Sequence, residues 1–424
     1  MIWAIALTIV LLVALGAPIF VALLAGAAVG LSMFNGPPLI ALQQTIFGGL
    51  DAYALLAVPF FVFAGELMAA SGIANRLIAL VQALFGRVPG SLGIAALGGS
   101  TLIGTICGSS AAAVAAVGKN MYPRLLDAQY GQRRASGIIT SSGAIDIVIP
   151  PSIAMILYGA AAEQSIPKLF IAGIVPGLFV ALLMGIYISA SARFSGLPTE
   201  GRFDPRSTII AFQKAIGALF MPVFILTGIY AGAFSPTEAG GFACAYAIIL
   251  GLVFYRSLTL SDILAAAARA AMITAQIMVV VAAASVISWL LTVKGVPQAL
   301  IAGIIDAGLS PLMFLLAVNV FLLATGCFLD PTSAILVLAP LLVPIAIALG
   351  IDPIHFGVIM TVNLAIGMFT PPFGLNIFVA QSVLGVSAAD IYRGVLPFVA
   401  VQTIALAVIT LLPVLSLWLV RAMS

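Results

Sequence analysis

The sequence matches itself at one fixed shift. Pro123 and Pro344 lie 221 positions apart (344 − 123), and the same shift relates Pro150-Pro151 to Pro371-Pro372 and Pro176 to Pro397. Gly173 pairs with Gly394, Thr140 with Thr361 and Ile145 with Ile366 in that register, and no gap is needed. Proline is only 24 of 424 residues, so these coincidences mark a fold built twice from the same parts.

Each copy contains two kinds of part. The first is a segment with a polar middle, Gly90 to Pro123 and then Ser310 to Pro344, whose centres read Gly108-Ser109-Ser110 and Asp330-Pro331-Thr332-Ser333. Such a length enters and returns as two short helices, which predicts a re-entrant hairpin in each copy. The second is a span interrupted by glycine and paired prolines, Gly143 to Ser152 and Gly367 to Gly374. Proline removes a donor and clashes with the preceding turn, so these spans break near their centres.

The medium follows from charge. Hydrophobic residues make up 63% of the chain and charged ones 7%, where soluble domains carry about 25%. Runs such as Ala243 to Phe254 and Val395 to Val420 hold no Asp, Glu, Lys, Arg or His. Backbone in lipid must be helical or closed into a barrel, and the alternation of barrel strands is absent. The expected fold is an all-α polytopic membrane protein with two repeats inverted in the bilayer. A net charge of +3 is too small to suggest nucleic acid, and no such partner is expected. Three cysteines in apolar segments, Cys107, Cys244 and Cys327, argue against a disulfide framework. The opening apolar run reaches about Phe34, too long for a secretory signal, and reads as a retained span.

The parts divide the chain into scaffold and arm helices of the first repeat (1–89) and its transport part (90–192). A cytoplasmic linker (193–214) with Arg193, Arg202, Arg206 and Lys214 follows. The second repeat has scaffold and arm helices (215–309) and a transport part (310–424). Basic residues at the base of the first hairpin (Arg87, Arg124, Arg133, Arg134) and acidic ones beside the second (Asp306, Asp352) predict openings on opposite faces.

Inverted repeats with broken helices place their sites at mid-membrane. Broken ends expose carbonyls that coordinate a cation and N–H groups that favour an anion. The cation candidates are Ser109 and Ser110 with Gly143, Ala144 and Pro150, and Asp330 and Thr332 with Gly367 and Thr370. These hard oxygen donors suit an alkali ion. Asp330 stands out, because ionisable residues inside membrane segments are costly. Ser142, Asp146, Ser152, Lys294, Asn363 and Asn376 are candidates to face substrate; a serine or asparagine there equally serves to join helices. A carboxylate at Asp146 facing the substrate would disfavour a plain dianion, so Asp146→Gly is expected to shift preference towards simple dicarboxylates. A channel would need a continuous polar lining, which is missing. An enzyme would need a nucleophile–base pair or metal cluster, and the sole histidine, His355, reads as lying in a loop at a span end.

The same residues resemble the large membrane subunit of tripartite ATP-independent periplasmic (TRAP) transporters. The likeness rests on Gly108-Ser109-Ser110, Ile149-Pro150-Pro151-Ser152-Ile153, Tyr158-Gly159 and Ala172-Gly173-Ile174-Val175-Pro176-Gly177. In the second half it rests on Asp330, Pro340, Pro344, Asp352-Pro353, His355-Phe356-Gly357, Asn363, Gly367 and Thr370-Pro371-Pro372. The resemblance covers essentially the whole chain. It implies an elevator-type carrier of the bacterial inner membrane, related in architecture to the ion-transporter superfamily, that imports organic acids such as C4-dicarboxylates or sialic acids on a Na⁺ gradient. It implies no cofactor beyond the coupling ion, and as partners a small membrane subunit and a periplasmic binding protein. The alternative is a self-sufficient Na⁺- or H⁺-coupled carrier or antiporter. One departure is Asp146, a position that resembles a glycine in most relatives.

Overall fold

A computed structural model describes residues 2–33, 39–197 and 204–423. Their regular structure comprises twenty α-helices, two short 3-10 helices (Tyr53–Leu56 and Gly143–Ile147), a π-helical turn (Leu250–Phe254) and no strand. The first copy opens with α1 (Ile2–Ala14), α2 (Ile19–Ser32), α3 (Leu39–Leu50), α4 (Ala57–Ala70) and α5 (Ile73–Phe85). Its hairpin is α6 (Ser91–Cys107) and α7 (Ser110–Asp127). Its broken helix is α8 (Gln132–Ser142) and α9 (Ile153–Ala161), and α10 (Ile166–Phe194) closes it. The second copy opens with α11 (Pro205–Tyr230), α12 (Pro236–Ile249), α13 (Leu260–Val293) and α14 (Val296–Asp306). Its hairpin is α15 (Pro311–Gly326) and α16 (Pro331–Ala348). Its broken helix is α17 (Pro353–Gly367) and α18 (Leu375–Leu384), followed by α19 (Ala388–Leu411) and α20 (Val414–Met423). Seven helical stretches among these residues are long and apolar enough to cross a membrane, so the chain is a multi-pass membrane protein.

Both hairpins and both breaks fall where the sequence puts them, and Pro150-Pro151 and Pro371-Pro372 are both cis. Three expectations need correction. The opening run is two helices, not one span: Gly16-Ala17-Pro18 turns the chain, and Ile5 and Ile9 of α1 meet Gly30 and Gly26 of α2. The linker has helix at both ends, 193–194 and 205–214, the latter because Asp204 accepts hydrogen bonds from the amides of Arg206 and Ser207 and Pro205 starts α11. Arg193 ends α10, Arg206 and Lys214 lie in α11, and Arg202 lies outside the described residues. His355 is buried in the first turn of α17 rather than in a loop, since Asp352 caps that helix by accepting from the amides of Ile354 and His355.

The two copies pack crosswise. The returning arm α7 lies on its own α8 and on α18 of the other copy, and α16 lies on its own α17 and on α9 of the other. Polar bonds tie the crossing. Asn376 Nδ2 donates to Ser110 Oγ at 2.7 Å, the Tyr158 hydroxyl to the Pro353 carbonyl at 2.7 Å, and Gln402 Nε2 to the Ser141 carbonyl at 3.3 Å. Helices α8 and α19 form another crossed contact. Outside the core, Arg133 and Asp390 join them at 2.9 Å, and the Ser387 hydroxyl donates to the same carboxylate at 2.8 Å. Inside, a Cβ on Gly394 would lie 2.1 Å from the Arg133 carbonyl oxygen, and one on Gly137 would lie 2.2 Å from the Gly394 oxygen. Backbone cannot yield as a flexible side chain does. Gly394→Ala is therefore expected to destabilise the protein by about 1–3 kcal/mol, read as a lower melting temperature in detergent. A melting temperature equal to that of the parent protein would refute this close approach.

Candidate functional site

The crosswise packing brings both hairpin tips to one cavity of about 480 Å³, a size typical of small-molecule sites, which run from about 300 to 1,000 Å³. One wall is made by Gly108 to Ala112 of the first tip, Asp330 to Ser333 of the second, and Ile147, Ile153 and Met368 beside the two breaks. The opposite wall is made by α4 (Val62, Gly65, Glu66), α13 (Ile273, Gln276, Ile277, Val280) and the start of α2. Helices α4 and α13 pack on each other, and Arg269 Nε binds Glu66 Oε2 at 2.6 Å.

The two tips differ in chemistry. Helix α16 is capped by Asp330, whose carboxylate accepts from the Ser333 amide at 3.2 Å and from the hydroxyls of Ser333 and Thr332. That negative cap offsets the positive helix end. Helix α7 begins at Ser109 without a side-chain cap, and Ser110, Ala111 and Ala112 of its first turn line the cavity. One tip thus presents a carboxylate and hydroxyl oxygens, and the other free amide donors suited to an anion.

Of the cation candidates, Ser109, Ser110, Asp330 and Thr332 line the cavity. Two of the break residues pack against the hairpins. Gly143 packs directly on Ser110, while Gly367 packs on the backbone of Gly326 in α15. Ala144, Pro150 and Gly367 are buried, and Thr370 Oγ1 is half-buried and donates to the Ile366 carbonyl at 2.7 Å.

None of the six substrate candidates lines the cavity. Ser142 donates to the Ile138 carbonyl at 2.6 Å within its own helix. Ser152 spans the first break, donating to the Ile147 carbonyl and accepting from the Met155 amide. Asn363 donates to the Asn319 carbonyl (3.0 Å) and Oδ1 (2.8 Å), and Asn319 in turn donates to Thr410. Asn376 holds Ser110. Lys294 is exposed at the end of α13. Asp146 is fully buried behind Ile147, which corrects the expectation that its carboxylate faces the cavity. Sequence reading missed Glu66 and Gln276. Glu66 carried a usable signal, as the one acidic residue in the apolar stretch Tyr53–Ala70.

Two hairpin-and-break units closing on one cavity in a multi-pass helical protein are the architecture of a secondary transporter. Residues 6–415 match the family described as tripartite ATP-independent periplasmic transporter, DctM component, and the chain belongs to that family. It is 40% identical over 390 residues to the C4-dicarboxylate TRAP transporter large permease protein DctM of Pseudomonas aeruginosa, covering 92% of this chain and 91% of that one. It is 38% identical to the ectoine TRAP transporter large permease protein TeaC of Halomonas elongata, covering 97% of each. With the sialic acid TRAP transporter large permease protein SiaM of Vibrio cholerae it shares 35% identity over 95% of each. In fold it is similar to the YdaH transporter of Alcanivorax borkumensis, with a TM-score of 0.59, 16% identity and coverage of 90% of this chain and 89% of that one.

Proposed function

We propose that the chain imports a small organic acid across the bacterial inner membrane, driven by Na⁺, with substrate delivered by a periplasmic binding protein and with a small membrane subunit beside it. The observation that carries this reading is the pairing of unlike tips around one cavity. Asp330 and Thr332 offer hard oxygens to an alkali ion, and in this reading the carbonyls at Gly367 and Thr370 complete its shell. The uncapped start of α7 offers amides to a substrate carboxylate, while Gly143, Ala144 and Pro150 back Ser109 and Ser110 as a second ion position. The relatives' names support a small carboxylate as substrate: one is named for C4-dicarboxylates, one for sialic acid and one for ectoine. Division of the cavity between hairpins and breaks on one side and α4 and α13 on the other suits an elevator, in which the first group slides past the second. A fused relative, the isethionate TRAP transporter permease protein DctMQ of Oleidesulfovibrio alaskensis, of which this chain covers 64%, supports a second membrane component.

Proteoliposomes holding the chain with its small subunit and loaded binding protein test the coupling. Replacing external Na⁺ by choline or K⁺ at constant membrane potential is expected to reduce uptake to the level of empty vesicles. Uptake that continues unchanged would overturn the Na⁺ reading.

A further inference from the structure

One charge in the cavity has no part in the function proposed above. Glu66 of α4 lines the wall opposite the tips, with its side chain 17% exposed. Arg269 Nε holds Glu66 Oε2 at 2.6 Å, and among the described residues no group donates to Oε1. Ile273 and Gln276 follow Arg269 at the four- and seven-residue spacing of one helix stripe, and both line the cavity, whereas Arg269 does not. The guanidinium therefore stands at the rim. A solute inside meets the carboxylate of Glu66 and the amide of Gln276.

The tips present the reverse chemistry. Asp330 accepts from the Ser333 amide and from the hydroxyls of Thr332 and Ser333, so those donors of the second tip are spent. The first turn of α7 has no capping side chain and keeps its amides. Donors thus gather at the first tip, an acceptor stands on the opposite wall, and no Lys, Arg or His is among the lining residues. A carboxylate taken out of water needs donors or a cation, and the first tip supplies donors for one. The far carboxylate of a plain dicarboxylate then meets a like charge at Glu66. A hydroxyl or ammonium in its place donates to Glu66 Oε1 in a charge-assisted bond.

We infer that Glu66 is a specificity-determining residue, and that the solute of this cavity is a small acid with one carboxylate, set against the first tip, and a hydrogen-bond donor at its far end, set against Glu66. The inference deepens the function proposed above and rests on its reading of the cavity as an organic-acid site.

Succinate, 4-aminobutyrate and 4-hydroxybutyrate share a four-carbon chain and differ only at the far end, so they test this directly. Each is titrated by calorimetry into the full chain with its small subunit in nanodiscs, at saturating Na⁺. The parent protein is expected to bind the better of the two monocarboxylates about tenfold more tightly than succinate, the scale of one hydrogen bond to a charged group. Whether the ammonium or the hydroxyl compound binds more tightly identifies the donor. Glu66→Gln is expected to erase the difference from succinate. Arg269→Gln, which strips the carboxylate of its counter-charge, is expected to widen it. An ion pair that only braces α4 against α13 predicts the same change in both variants, and that result sinks the inference. So does an unchanged difference in Glu66→Gln, or succinate binding as tightly as the others to the parent. Should Glu66→Gln not fold, Arg269→Gln decides alone, because a narrowed or unchanged difference there is equally fatal. Binding of none of the three acids ends the organic-acid reading and this inference with it, whereas tight binding of succinate ends only the inference. Affinities that do not respond to Na⁺ tell against Na⁺ coupling and leave the order of the probes standing.

Discussion

Asp330→Asn is expected to abolish Na⁺-driven uptake while leaving the protein folded. Asn is as good a helix N-cap as Asp, so the start of α16 keeps its bond to the Ser333 amide. What disappears is the negative charge at the cavity wall. Removing one partner of a buried charge pair costs about 3–5 kcal/mol. Asp330 is only half-buried, so the low end applies, and that is on the order of a hundredfold in ion affinity. Uptake against Na⁺ concentration should show the loss, with the melting temperature of the variant as the control for folding. A folded variant with the Na⁺ dependence of the parent would leave Asp330 as a helix cap and nothing more.

The second large effect concerns delivery. Among the described residues, connections between helices are short, and none forms a soluble domain that would capture a dilute solute. A binding protein docked at the outer face raises the local substrate concentration, so a carrier of weak intrinsic affinity suffices. Liposomes with the chain and its small subunit are expected to take up micromolar substrate about a hundredfold faster once the loaded binding protein is added outside. Equal uptake without it would show a self-sufficient carrier, the alternative that the sequence also admits.

The prolines made the fold legible. Pro150-Pro151 and Pro371-Pro372 dictate local breaks whatever surrounds them, and the tips at Ser109 and Asp330 announce themselves as polar residues in apolar text. The cavity wall they form was legible for the same reason. Its opposite face was not. Gln276 and Val280 sit in a continuous helix with no break to mark them, and only the packing of α13 beside the tips turns them inward. The asparagines were legible only as polar groups beside the second break. Asn376 and Asn363 carry the functional groups that suit a ligand, yet their partners are Ser110 and Asn319, which lie 266 and 44 positions away and are met only in three dimensions. Asp146 was visible as a carboxyl group inside the first break. Its burial depends on Gly104 and on α6 lying against the break, a relation that no local pattern records.

The crossing of α7 onto α18 sets a timetable for biosynthesis. The Ser110–Asn376 bond waits for 266 further residues, and at about 5–20 residues per second the ribosome takes roughly ten to fifty seconds to supply them. Throughout that interval the first hairpin has entered the bilayer with its polar tip and one flank of α7 unmatched, in a solvent that offers no hydrogen bonds. Nascent chains halted between the two halves should therefore be held by the insertion machinery or degraded, and the first half expressed alone should be rescued only by supplying the second half in the same cell.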